Sequence, residues 1–369
     1  MIYLDHAATT PLSETALKVY QETATHFFGN TQSPHRSGVK AATLLEQCRK
    51  TFADFLQGEP DGVVFTSGGT EANQLAIETL LKSSKKKGRH IISTVIEHAS
   101  ILNYLQKLKQ EGYEITLLPV DNNGLISFAD LKAVLTENTV LVTIQFVNSE
   151  IGSIQNIQKI GEFLKQHPVL FHSDCVQAFG KIPIDIKACH LDGVSISGHK
   201  LYGPIGTGVC YLNPFLNRRP LISGGTHEMG LRPGTVNLPA IAAFTAASAE
   251  LLQIQETELQ RVSLLKGNFL TKLDSRITVL GSNANTLPHI LGLMLPNIEG
   301  QYAMLSCSRQ GIMLATGSAC SIGRQAPSHV IKALGKSNAI AKTFIRLSFG
   351  KHTTEEALER VAFVLNGLI

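Results

Sequence analysis

The chain has 369 residues, 43% hydrophobic and 17% charged, with 33 Lys+Arg against 29 Asp+Glu for a net charge of +4. That length can bury a large domain's core and a smaller one beside it. So slight a positive balance, with KSSKKKGR (82–89) as its one basic cluster, argues against nucleic acid as a partner.

Taken in chain order, GVVFTS (62–67) reads as a strand and TEANQLAIETLLKS (70–83) as a helix. RHIISTV (89–95) is the next strand, and SILNYLQKLKQEG (100–112) a helix closed by its glycine. EITLLPV, VLVTIQFV and VLFHSD follow as strands, separated by the helical stretches FADLK and QKIGEFLKQH. Strands and helices in alternation predict an α/β fold with a mainly parallel sheet flanked by helices. Near 240 the texture changes, and AIAAFTAASAELLQIQETELQRVSLLKGNFLTKLDS reads as one long helical bridge to a second unit. Short strands (ITVLG, HILGLML, FIRLSF) and helices (GQYAMLSCSRQ, SHVIKALG, TEEALERVAFVLNGL) then predict a smaller α+β domain. No internal repeat or low-complexity tract is visible. No apolar run approaches a membrane span. MIYLDHAATT lacks a charged stretch before a long apolar one, so no secretory signal is expected. Six cysteines (48, 175, 189, 210, 307, 320) without CxxC spacing argue against a zinc ribbon or a disulfide scaffold. A reducing cytoplasmic setting and no metal site are expected, with most of these thiols in the core.

In sheets of this kind ligands collect beyond the carboxyl ends of the strands. TSGGTEAN (66–73) puts glycines and a threonine between strand and helix, an anion seat or an ordinary capped turn. His98 in VIEHAS and Asn148 in VNSEIGS each follow a strand, and either residue alone reads equally well as packing. FHSDCVQAFGK (171–181) leaves Asp174 at the end of an apolar strand with Gln177 three residues on. A carboxylate there needs a charged or N–H partner, and a structural ion pair would supply one. Lys200 in ISGHKLYGP follows another apolar run. Taken alone it reads as a lysine snorkelling to solvent. Together these strand ends offer a phosphate seat, a histidine, a carboxylate and an amine. Pyridoxal phosphate needs that set, with a lysine for its aldehyde and a carboxylate for its pyridine nitrogen.

At this point the chain resembles the cysteine desulfurases of the NifS/IscS type, in the class V aminotransferase group of fold-type I enzymes. The likeness is carried in order by YLDHAATTP, GNTQSPHRSG, TSGGTEANQLAI, EHASIL, VNSEIGSIQNI, FHSDCVQAFGKIPID, SGHKLYGPIGTG, GGTHEMGLRPGT, GSACSIGRQAPSHVIKALG and IRLSFGKHTTEEA. It implies that Lys200 holds pyridoxal 5'-phosphate covalently and that His98 stacks on its ring and helps move protons. It implies Asp174 at the ring nitrogen and Gln177 at the phenolic oxygen. The phosphate falls to Gly69, Thr70, Ser197 and His199, and to Thr235 of the partner in a homodimer. Asn148 and Arg346 would hold the carboxylate of L-cysteine, a guanidinium matching a carboxylate in bidentate fashion.

Cys320, in the polar stretch TGSACSIGRQAPS, would be the nucleophile that takes the sulfur, with Arg324 favouring its thiolate. The implied reaction converts L-cysteine to L-alanine and leaves a persulfide on Cys320 for a sulfur-acceptor protein, in iron–sulfur cluster or related sulfur-cofactor assembly. The resemblance places residues 12–250 in a large cofactor-binding domain, and 1–11 with 251–369 in a small domain carrying the cysteine loop. His6-Ala7 replaces the Asn-Asn of many relatives, and Met229 and Pro233 also depart from the pattern. Ser-Ile-Gly-Arg after Cys320 departs too, though the loop keeps the length of the scaffold-feeding members, so the implied acceptor is an iron–sulfur scaffold or a dedicated client such as quinolinate synthase. Selenocysteine lyase, or transamination of small amino acids, is the alternative within enzymes, and neither would require Cys320. A non-catalytic sulfur carrier is the alternative outside them, with Lys200, Asp174 and His98 against it.

Overall fold

The structure, a computed structural model, describes residues 1–220, 224–281, 283–316 and 327–369. In chain order the first half holds β1 (Ile2–Tyr3), α1 (Glu14–His26), α2 (Arg36–Leu56), β2 (Val63–Thr66), α3 (Gly69–Ser83), β3 (His90–Thr94) and α4 (Ala99–Gln110). Then come β4 (Glu114–Leu118), α5 (Phe128–Val134), β5 (Thr139–Thr143), α6 (Ile157–Leu164), β6 (Leu170–Asp174), β7 (Gly193–Ser197) and β8 (Gly208–Leu212). The second half holds α7 (Leu238–Gln253), α8 (Gln255–Lys272), β9 (Thr278–Leu280), β10 (Ile290–Met294), α9 (Gly300–Arg309) and β11 (Ile312–Met313). It closes with α10 (His329–Ala333), α11 (Asn338–Ala341), β12 (Phe344–Ser348) and α12 (Glu355–Asn366).

A seven-stranded sheet runs in the order β2-β8-β7-β6-β5-β3-β4. It is parallel as expected, except for β8, which is antiparallel to both β2 and β7. The connection between β7 and β8, residues 198–207, is too short for the dozen or more residues a parallel crossover needs, so the chain turns straight back. Successive residues of one strand enter opposite cores. Val63 and Phe65 join the core that gathers residues of α2, α6 and α7, whereas Val64 joins the one that gathers residues of α3 and α4. A sheet covered on both faces explains why its strands read as nearly continuous apolar runs.

The long pattern after 240 is two helices and not one. It breaks at Ile254 (φ −110°, ψ 7°), which ends α7 and starts α8. Beyond it β12-β10-β9 form a second, antiparallel sheet, and β1 pairs with β11. Their core gathers Leu4, Phe269, Leu293, Ile345 and Val361. The N-terminal segment joins the two sheets. Asp5 bridges to Ser348 of β12, and five residues later the Thr10 amide donates to the His199 carbonyl (2.8 Å) just beyond β7. Among the described residues no helix is long and apolar enough to cross a membrane.

Candidate active site

The carboxyl ends of β2, β3, β5, β6 and β7 open on a cavity of about 250 Å³. Its wall includes Gly69, Thr70, His98, Asp174, Gln177, Ser197, His199, Lys200 and Arg346, so nine of the residues singled out in the sequence meet there. Three do not. Asn148 lies between two wall residues, Val147 and Ser149, with its side chain turned to backbone. Its Nδ2 donates to the Ile96 carbonyl (3.1 Å), and its Oδ1 accepts from the Glu150 and Ile151 amides. Thr235 is exposed and away from this cavity. Cys320 and Arg324 lie outside the described residues. The other five cysteines are buried, as expected. Cys175, beside Asp174, is held far above the usual thiol range, burial being the main cause.

At the end of β2 the chain turns through Gly68, whose φ of +151° suits glycine alone, and starts α3 at Gly69. A Cβ on Gly69 would stand 2.9 Å from Val176 Cγ2. The bare backbone therefore lets the helix start come close to the cavity, with its N–H groups and dipole suited to an anion. Four residues along α3, on the same face, is Asn73. Its Nδ2 donates to Asp174 Oδ2 (2.8 Å) and to Ser100 Oγ (3.0 Å). Asp174 Oδ1 accepts the Val176 amide (2.9 Å).

His98 caps α4, its Nδ1 accepting the Ser100 amide (3.2 Å) and lying 2.8 Å from Ser100 Oγ. An accepting Nδ1 puts the hydrogen of the neutral ring on Nε2. Burial holds this imidazole below its usual pKa, with Lys200 and His329 pushing the same way and Asp174 opposing. Burial, and then Lys200, lowers His199 to about 4. Both rings are thus neutral at physiological pH. Lys200 follows β7 in the short turn Gly198–Lys200, half-buried at the cavity wall.

Four polar atoms of this wall, Asn73 Oδ1, Gln177 Oε1, Ser197 Oγ and Arg346 Nε, are buried without a hydrogen-bond partner among the described residues. Each such group costs about 1–3 kcal/mol, so their meeting in one cavity marks a place for a polar ligand. Pyridoxal phosphate fits the set. A phosphate suits the start of α3 with Thr70 and Ser197, a protonated pyridine nitrogen suits Asp174, and an aldehyde suits Lys200. Sequence reasoning missed Asn73, Ser100 and Asp5. For Asn73 a signal existed, since a residue one turn after the phosphate-seat glycine shares its face.

The fold and this cavity define a class, and the comparisons agree with it. The Aminotransferase class-V family model matches residues 2–361, and the chain belongs to that family, whose members depend on pyridoxal phosphate. It is 45% identical over 366 residues to the "Putative cysteine desulfurase NifS" of Bacillus subtilis (strain 168), covering 98% of this chain and 93% of the relative. A solved "NIFS-LIKE PROTEIN" superposes with a TM-score of 0.93 at 30% identity, over 100% of this chain and 98% of that one. "SspA in complex with cysteine" gives 0.83 at 31% identity, over 96% and 100%. The resemblance read from the ordered motifs therefore holds along the chain.

Proposed function

We propose that this protein is a cysteine desulfurase that converts L-cysteine to L-alanine and leaves the sulfur on Cys320. The observation that carries the reading is the meeting of Lys200, Asp174, His98 and Arg346 on one cavity, drawn from different strands. Bound there, pyridoxal phosphate would supply an electron sink that makes the substrate's Cα–H acidic. Arg346 orients the amino acid by its carboxylate. Lys200 would hold the cofactor's aldehyde, and its amine would take the Cα proton and return it. His98, on the cavity wall with its hydrogen on Nε2, would serve as a neutral donor. The Cys320 thiolate attacks the substrate sulfur, a sulfur–sulfur bond forms and the carbon–sulfur bond breaks. The substrate carbons keep that electron pair and take a proton, so cysteine plus a thiol gives alanine plus a persulfide, balanced without an outside oxidant.

The same reading makes residues 12–250 the cofactor domain and 1–11 with 251–369 the domain that brings Cys320. It makes the enzyme a cytoplasmic homodimer in which Thr235 reaches the partner's phosphate, consistent with its exposure here. Its sulfur goes to an acceptor protein, an iron–sulfur scaffold or a dedicated client, the latter suggested by the departures at Ser321 to Arg324. The test is alanine and sulfide formation from L-cysteine with a reductant. We expect Cys320→Ala to abolish sulfide release while keeping the cofactor's visible absorption. Lys200→Ala should lose both turnover and borohydride-fixed cofactor. Turnover by Cys320→Ala at the native rate would overturn the assignment of that residue.

A further inference from the structure

Arg346 sits on β12 and is 2% exposed, although it is the longest cation on the cavity wall. A guanidinium at that depth has to have its charge answered. Its Nη2 donates to Oδ1 of Asp5 (2.6 Å) and its Nη1 to the Ser149 carbonyl (2.9 Å). Its Nε has no partner among the described residues. Arginine carries five N–H donors in one plane, so three remain after these two bonds. Ser149 is part of the cavity wall and Asp5 is not, which places Asp5 outside the cavity on the other arm of the fork. Asp5 is itself held firmly. Its carbonyl accepts from the Ala8 and Thr9 amides and from the Tyr3 hydroxyl, and its backbone bridges to Ser348, two residues along the same strand as Arg346.

We propose that Asp5 is a positioning residue that sets the enzyme's demand for a substrate carboxylate. By fixing one arm of Arg346 while the Ser149 carbonyl fixes the other, it orients the plane of the guanidinium and keeps the remaining N–H groups toward the cavity. An amino acid then meets a fork already set for bidentate contact, with no rotamer to freeze. An amine without a carboxylate gains nothing from it. Asp5 also opposes the incoming carboxylate by like charge. Its side chain is 25% exposed, so solvent screens that repulsion while the short hydrogen bond keeps its hold, and orientation is the larger effect.

This inference rests on the desulfurase reading, and the experiment separates the two. The holoenzyme is titrated with L-cysteine and with cysteamine, which has the same thiol and amine but no carboxylate. Half-saturation is followed by the absorbance of the bound cofactor, and KM and kcat by alanine release. Asp5→Ala is expected to raise the half-saturating L-cysteine concentration and KM about tenfold or more, the scale of one lost charge-assisted hydrogen bond. It should leave cysteamine within about twofold and change kcat far less than KM. Asp5→Asn, which keeps an accepting oxygen, should recover most of the loss. Asp5→Ser carries the expectation of Asp5→Ala should that variant not fold. Unchanged L-cysteine binding overturns the proposal, as does equal weakening of both ligands, or Asp5→Asn no better than Asp5→Ala. A native enzyme indifferent to L-cysteine overturns the desulfurase reading instead.

Discussion

Asn73 donates to both Asp174 and Ser100, and Ser100 in turn holds Nδ1 of His98. One amide thus orients the carboxylate for the ring nitrogen and, through a hydroxyl, the imidazole expected over the ring. Removing it leaves Asp174 Oδ2 without this donor in a buried place. Asn73→Ala should therefore weaken cofactor binding by about 1–2 kcal/mol, roughly five- to thirtyfold in the dissociation constant. Fluorescence titration of the apoprotein with pyridoxal phosphate measures it, and an unchanged constant would show that the network does not reach the cofactor. Asp174 was legible in the sequence because a carboxylate closing an apolar strand is a conspicuous cost. Asn73 was not, because an asparagine in the first turns of a helix is ordinary. What makes it matter is a strand 101 residues away.

At the scale of elements, the alternation of strands with helices was readable because each strand is buried on both faces and each helix carries one apolar stripe. Two features escaped. The reversal of β8 depends on the length of a loop and not on the strand's own composition. The break at Ile254 lies within a continuous helical pattern, where α7 packs on α1 and α8 on α12. Tertiary packing, and no local propensity, sets that boundary. The turn from β2 into α3 was visible as two adjacent glycines, and its geometry gives them separate duties. Gly68 supplies a φ of +151°, and Gly69 leaves open the space a Cβ would need beside Val176. Gly68→Ala would strain the backbone by about 1–3 kcal/mol. In the folded variant that strain should appear as rotation of the first α3 amides away from the phosphate. The expected result is at least about tenfold weaker binding of pyridoxal phosphate, with a smaller change for pyridoxal, which has no phosphate. Equal losses for the two ligands would mean that the turn does not serve the phosphate.

For the molecule as a whole, buried titratable groups outside the cavity make stability depend on pH. Burial lowers His6 and His172 to about 4 and His289 to about 3, with nearby cations adding to the effect for His6 and His289. All three are nearly inaccessible to solvent. Their unfolded forms protonate near 6.5, so as pH falls below that value the unfolded state takes up protons that the native state refuses. Stability is complete above 6.5 and falls as pH drops toward 4. Glu97 acts in the opposite direction. Burial raises its carboxyl to about 8, so between 4.5 and 8 it favours the native state more as pH falls. With His199 also lowered to about 4, and His98 and His90 lowered as well, the histidines outnumber Glu97, so unfolding takes up protons and stability falls from pH 6.5 to 5. Urea unfolding of the apoprotein at those two values measures it. His172 is the most informative single site, since its ring nitrogens meet only Thr143 and Ser195 hydroxyls (2.8 and 3.0 Å) deep under the sheet's active end. His172→Asn should be less stable at both values. It should also lose about 2 kcal/mol less than the native chain on going from 6.5 to 5, because one titrating group is gone. An unchanged pH slope in that variant would mean that the buried imidazole already carries its proton in the fold.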